Sequence, residues 1–269
     1  MASLFEDQAA GLRRLFAGAH GATTVAFAGP AARGELVAAL ASGLAAAGKE
    51  VVVVDEHTGG ESVAAAFGLR SRFDLLQAVH RDVPAAHVLL RPEPSIRLLP
   101  AARAARQHAR LDPMEQRALA EWLRRLQKGV DFVLVDAMTR AGAECSPLLP
   151  QPRRIVMAVS PDAAAITEAY VQMKRLALAR DCRRFGVVIL RSGDTEESRT
   201  VFANLREAAG RHFGADIELL GGLAAQGEAQ RLGAALAEVL LGTAPASGGR
   251  ALTMPRLAVR SATAAYPVV

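Results

Sequence analysis

Residues 23–57 read TTVAFAGPAARGELVAALASGLAAAGKEVVVVDEH. The stretch predicts a buried strand (Thr24–Ala28), a Gly/Pro turn (Gly29–Gly34), a helix running to Ala47 and a second buried strand (Val51–Asp55). That order places a backbone turn and a helix start at the carboxyl edge of a parallel sheet. Nucleotide phosphates bind at such a place, held by loop amides and the helix dipole. A working loop of the form G-x-x-x-x-G-K-[ST] also needs a lysine for the terminal phosphates and a hydroxyl for Mg²⁺. Here Arg33 and Gly34 lead into the helix. The frame of a phosphate-binding loop is present and its reactive side chains are not.

Strand and helix signals alternate outward from this core. Apolar runs bounded by turn residues occur at Thr24–Ala28, Val51–Val54, Ile96–Leu99, Phe132–Val135, Ile155–Val159, Val187–Leu190 and Ile217–Leu220. Runs without alternation suit parallel strands covered on both faces. Helical periodicity marks Arg33–Ala47, Phe73–His80, Pro113–Lys128, Ala163–Ala179, Glu196–His212 and Gln226–Leu241. Asp112-Pro113 reads as a cap followed by a first-turn proline. The expected fold is a doubly wound, mostly parallel α/β sheet over residues 23–242. Before it, residues 1–22 hold an amphipathic helix (Glu6–Phe16) and a short linker, and residues 243–269 form an irregular tail. The helix over Gln226–Leu241 has Arg231 as its one cation beside Glu228 and Glu238, so it is expected to pack on the sheet rather than on a membrane surface.

Composition excludes several classes. No apolar run approaches the roughly 20 residues of a membrane span, and MASLFEDQAAG lacks the layout of a secretory signal. The 2 cysteines, Cys145 and Cys182, suggest neither a disulfide framework nor a zinc site. A cytoplasmic protein is expected. The net charge of +5 comes from arginines scattered along helices rather than from a basic run, so direct nucleic-acid binding is not expected. His57 has no partner histidines at ligand spacing, and no metal is expected.

Residues 24–55 resemble the start of a ParA/MinD-type ATPase, in which K-G-G-x-G-K-[ST] leads into a helix ending L-A-x-x-L-A-x-x-G-K-x-V and a strand ending D-x-D. Leu40-Ala41, Leu44-Ala45, Gly48-Lys49, Val51 and Asp55 match that pattern. Gly129–Asp136 is similar to the family's Walker B strand. Ser160-Pro161-Asp162, with Ile166, Thr167, Ala169 and Tyr170, resembles a segment of the flagellar-number regulators, the FlhG/FleN branch. So does Asp7-Gln8-Ala9-Ala10-Gly11-Leu12-Arg13, against that branch's N-terminal D-Q-A-x-x-L-R.

The resemblance implies a regulator of flagellar placement or number that acts by protein contact. In that branch the N-terminal motif stimulates the GTPase FlhF, so Asp7, Gln8, Leu12 and Arg13 are the implied partner-binding residues. Flagellar switch proteins and the transcriptional activator of flagellar genes are further implied partners, and membrane contact is at most peripheral, at the cell pole. The departures fall on the nucleotide site. Ala28, Arg33 and Gly34 stand where the family has its signature lysine, phosphate lysine and Mg²⁺-binding hydroxyl; His57 replaces the second Asp of D-x-D, and Leu190 the adenine-contacting asparagine. Gly29, Arg33, Gly34, Asp55 and Asp136 therefore form a vestigial nucleotide site with no catalytic residue. No cofactor is expected to be held tightly, with ATP and Mg²⁺ binding only weakly.

The residues leave some alternatives open. Gly29–Gly34 is either a residual nucleotide loop with Arg33 as substitute cation or a plain strand-to-helix turn. Asp55 and Asp136 are either solvent-facing strand ends or remnants of a Mg²⁺ site. For the chain as a whole, the rivals are a weak but functional ATPase with an unorthodox loop and an accessory protein of cellulose synthesis or pilus assembly.

Overall fold

The computed structural model describes residues 22–30, 33–138, 145–148, 152–180, 182–190, 195–223 and 228–242. The expected N-terminal helix, with Asp7, Gln8, Leu12 and Arg13, and the tail from Thr243 lie outside them. Among the described residues the strands are β1 (Thr23–Ala28), β2 (Val51–Asp55), β3 (Leu90–Glu93), β4 (Ile96–Pro100), β5 (Phe132–Asp136), β6 (Arg154–Val159), β7 (Arg184–Leu190) and β8 (Asp216–Leu223). They form one sheet in the order β3-β4-β2-β5-β1-β6-β7-β8. Every pairing is parallel except β3 with β4. The expected doubly wound, mostly parallel α/β fold is the one observed.

The four consecutive valines of β2 show why the runs lack alternation. Successive side chains point to opposite faces. Val51 and Val53 enter the core beneath α1 (Gly34–Ala46) and α9 (Glu228–Gly242). Val52 and Val54 enter the opposite core, under α6 (Pro113–Leu126), α7 (Ala163–Arg180) and α8 (Thr195–Phe213). With helices on both faces, each position of the strand gains by being apolar and β-branched. Helix entries follow their capping chemistry. Asp112 accepts from the backbone N–H groups of Met114 and Glu115, and Glu115 returns a bond to the Asp112 N–H, with Pro113 in the first turn.

β3 was not expected, and neither were three short helices, α2 (Val63–Ala66), α4 (Ala85–Val88) and α5 (Ala102–Gln107); α3 (Leu75–Val79) falls within the expected Phe73–His80. The strand Leu-Arg-Pro-Glu has no apolar run, and Pro92 confines it to an edge, where its missing N–H breaks no ladder. The alanine-rich Ala102–Gln107 has no apolar stripe to read.

The expectation that the last helix packs inward holds. α9 buries Ala229, Leu232, Gly233, Leu236 and Ala237 and lies directly on α1. A Cβ at Gly233 would stand 2.6 Å from the Ala39 carbonyl carbon and 2.7 Å from the Leu40 nitrogen. A Cβ at Gly43 would stand 3.1 Å from the Ala237 Cβ. Small residues thus let two helix backbones touch. Because the obstruction at Gly233 is backbone, Gly233→Ala is expected to destabilise the fold by about 1–3 kcal/mol, the usual range for overpacking. Gly48→Ala is no control, since Gly48 has a positive φ of 75°; Gly242→Ala, at the end of the same helix with nothing within 4 Å of an added Cβ, is a suitable one. Thermal melts of the three chains check this.

Candidate functional site

β1 sits between β5 and β6, so the chain after it emerges where the winding of the sheet reverses. Parallel register sets both Phe27 and Asp55 level with Asp136. The carboxylates of β2 and β5 therefore end side by side at the carboxyl edge. The turn after β1 hugs β6: Gly29 has a φ of 111°, and a Cβ on it would lie 2.3 Å from the Ala158 carbonyl oxygen. Only glycine fits such a backbone approach.

Arg33 precedes α1 in a non-helical conformation and contributes no side-chain cap. Its side chain turns into the protein instead and is 4% exposed. Nε lies 2.8 Å from Asp136 Oδ1, which is 1% exposed. At that separation, and away from water, the opposite charges attract strongly. Nη1 donates to the Gly29 carbonyl at 2.9 Å, and Nη2 donates to the Ala137 carbonyl. Nη2 also lies 3.0 Å from His57 Nε2. A guanidinium has only donors, so that ring nitrogen is the acceptor. One cation thereby ties together the turn after β1, the end of β5 and the segment after β2.

The acids are committed to the protein as well. Asp55 accepts from the backbone N–H of His57 at 3.1 Å and of Ala64 at 2.9 Å, which anchors the start of α2. Burial pushes its carboxyl up to about 7, and the Asp136 charge pushes the same way. Glu56 is fully buried; it accepts from the Met138 N–H at 2.8 Å and from the Ser146 hydroxyl, and burial pushes it up to about 7. Burial also raises Asp136, against the opposing pull of Arg33 and His57. Neighbouring Cys145 is buried, which pushes its thiol up to about 12, so it is no nucleophile at neutral pH.

Gly29, Arg33, Asp55 and Asp136 are thus brought together as the sequence implies, with Gly34 beginning the helix above them. Asp55 and Asp136 are not solvent-facing strand ends; both are buried. Arg33 is more than part of a turn, since it is the counter-ion of Asp136. Glu56, its Ser146 contact and the link through His57 were missed. Glu56 stands in an Asp-Glu-His run that reads as a strand leaving for solvent, and no periodic signal distinguishes it.

A Mg²⁺-bound triphosphate is the group this position implies, and the residues present do not fit it. No hydroxyl is available at Gly34, and a Cβ there would lie 2.5 Å from the Glu61 carbonyl oxygen and 2.9 Å from the Ser62 carbonyl carbon. The Asp136 carboxylate meets a guanidinium where a metal shell would need it free. Leu190, where the resemblance implies an adenine contact, is a buried apolar side chain at the end of β7. Among the described residues no group of three or more His, Cys, Asp or Glu could hold a metal ion, and no helix is long and apolar enough to cross a membrane.

No family model matches the chain. Over 182 residues, 68% of its length, it is 24% identical to the antiactivator FleN of Pseudomonas aeruginosa, and it spans 65% of that protein. The MinC:MinD cell division protein complex of Aquifex aeolicus contains a similar fold, with a TM-score of 0.61 and 18% identity, covering 87% of this chain and 99% of that one. Cobyrinic acid a,c-diamide synthase from Mycobacterium smegmatis, with bound ADP and magnesium, gives a TM-score of 0.63 and 15% identity, covering 87% and 100%. MinD of Pyrococcus furiosus gives 0.57 and 14%, covering 82% and 99%.

The acid cluster sets a sign for the pH dependence of stability. Asp55 and Glu56, raised from 3.8 and 4.5 to about 7, bind more protons folded than unfolded within that window. Their contribution is fully present below about pH 4 and is lost as pH rises through about 7. Denaturant melts are expected to show the folded state weakening between pH 5 and pH 8. Arg33→Ala removes the partner of a buried carboxylate, a change of about 3–5 kcal/mol in comparable cases. Its effect should be larger at pH 8 than at pH 5, where protonation relieves the unpaired charge.

Proposed function

We propose that the chain, whose fold is that of MinD-type proteins and whose sequence is similar to the antiactivator FleN, regulates flagellar placement or number through protein–protein contact, with no nucleotide turnover of its own. The observation that carries the absence of turnover is the Arg33–Asp136 pair, in which a side chain of the protein takes the carboxylate that phosphoryl transfer would assign to Mg²⁺. A phosphoryl-transfer site works by positioning and by charge stabilisation. A single catalytic cation is credited with roughly 10³–10⁵-fold in rate, and here lysine and hydroxyl are both replaced. Hydrolysis of ATP stands at background and ATP binds weakly at this position.

The likeness to the antiactivator FleN supplies the flagellar setting. The activity is assigned to the N-terminal motif. At helical spacing Gln8, Leu12 and Leu15 share a face, and Asp7 suits the first turn of a helix. Leu12 and Leu15 anchor in a groove of the FlhF-type GTPase. Gln8 both donates and accepts, as needed to orient a water or buttress catalytic groups, and Arg13 adds a charge-assisted contact. Flagellar switch proteins and the flagellar transcriptional activator are the further partners of this reading. The protein works in the cytoplasm and reaches the polar inner membrane through them.

The test joins two measurements. Light scattering with and without Mg-ATP should give the same mass, since a ligand shifts an equilibrium only by differential binding. GTP hydrolysis by FlhF should accelerate with the full chain but not with Gln8→Ala or with a chain lacking residues 1–18, which stays folded because the sheet begins at Thr23. An ATP-dependent doubling of mass, or full stimulation by the truncated chain, would refute the proposal.

A further inference from the structure

Beside the vestigial site lies a cavity of about 620 Å³ that the reading above does not use. Its walls come from the ends of β2 and β4 (Asp55, Pro100), from α2 and α3, and from α5. Gly29, Arg33, Gly34 and Asp136 are not among its lining residues. The cavity shares Asp55 and His57 with the neighbouring site but does not reach the turn after β1. Its size falls within the roughly 300–1,000 Å³ of small-molecule sites.

Its charge is one-sided. Arg70, Arg72, Arg103 and Arg106 line it, and the first three make no ion pair among the described residues. Two carboxylates also belong to the lining, but both face inward. Asp74 is buried and accepts from the backbone N–H groups of Leu76, Arg103 and Ala104 at 2.8–3.0 Å. Asp55 is held by His57 and Ala64, as described. Neither acid is placed to neutralise the arginine heads. Rather, Asp74 fixes the spacing of the cavity's walls, since it ties the start of α3 to the start of α5. The lining also includes apolar surface from Leu69 and Phe73.

From this arrangement we infer that the cavity binds a small phosphorylated ligand, with its phosphates among Arg70, Arg72 and Arg103 and its less polar part against Leu69 and Phe73. Guanidinium groups match phosphate oxygens in geometry and charge.

Calorimetry on the full chain with tripolyphosphate, and separately with Mg²⁺-free ATP, tests this. At least one probe should bind saturably, and more weakly as salt rises from 50 to 500 mM (values chosen to span roughly a threefold change in Debye length). The double variant Arg72→Glu/Arg103→Glu should weaken binding by about tenfold or more. Both residues are exposed, so its melting temperature should stay near that of the parent chain. Absence of saturable binding, binding that survives the double variant, or tighter binding of a poly-glutamate peptide than of tripolyphosphate would overturn the inference. ATP binding lost in Arg33→Met but kept in the double variant would also overturn it, by placing the ligand on the turn after β1.

Discussion

A guanidinium buried against a carboxylate needs a reason to be there, because taking both charges out of water is costly unless geometry and further bonds offset it. Arg33 meets that demand by bonding to three elements at once. Its contacts with Gly29, Asp136, Ala137 and His57 join the turn after β1 to β5 and to the segment after β2. The remaining polar groups of the sheet edge arrange themselves around that bond. Asp55 turns to the backbone of α2, and Glu56 to Met138 and Ser146. Polar side chains that would otherwise converge on a ligand converge on one another.

How much of this was legible depends on the kind of signal each part leaves. The parallel strands were readable because burial on both faces forces unbroken apolar runs, as Val51–Val54 show. The helices that cover them were readable from periodicity and from caps such as Asp112-Pro113. β3 and α5 left no such trace, being an edge strand with a proline and a helix built of alanine. The site shows the same division. Motif spacing located Gly29, Arg33, Asp55 and Asp136, because a chain turn at the carboxyl edge fixes them in sequence. The direction of the Arg33 side chain and the burial of Glu56 arise from contacts about 80 to 100 residues away, with Ala137, Met138 and Ser146. No local pattern encodes those.

The two faces of the sheet are finished differently. On one, long helices bring Leu, Met and Phe side chains into a broad core. On the other, α1 and α9 meet through Gly43, Gly233 and alanines, nearly backbone to backbone. The helix that begins beside the Arg33–Asp136 pair is thus clamped by the last described helix. Motion of α1 that changed its distance from the sheet would have to carry α9 with it.

Gly34 has a consequence for the mutational routes open to this protein. The backbone at Glu61 and Ser62 occupies the space that any larger residue would require. A single codon change that introduced a hydroxyl would thus meet a steric collision before it met a metal. The segment would have to be displaced first, and no benefit accompanies that displacement alone. The constraint acts in this way as a ratchet: the neighbouring backbone fills the space, and a Mg²⁺-binding side chain here is separated from the present sequence by an unfavourable intermediate.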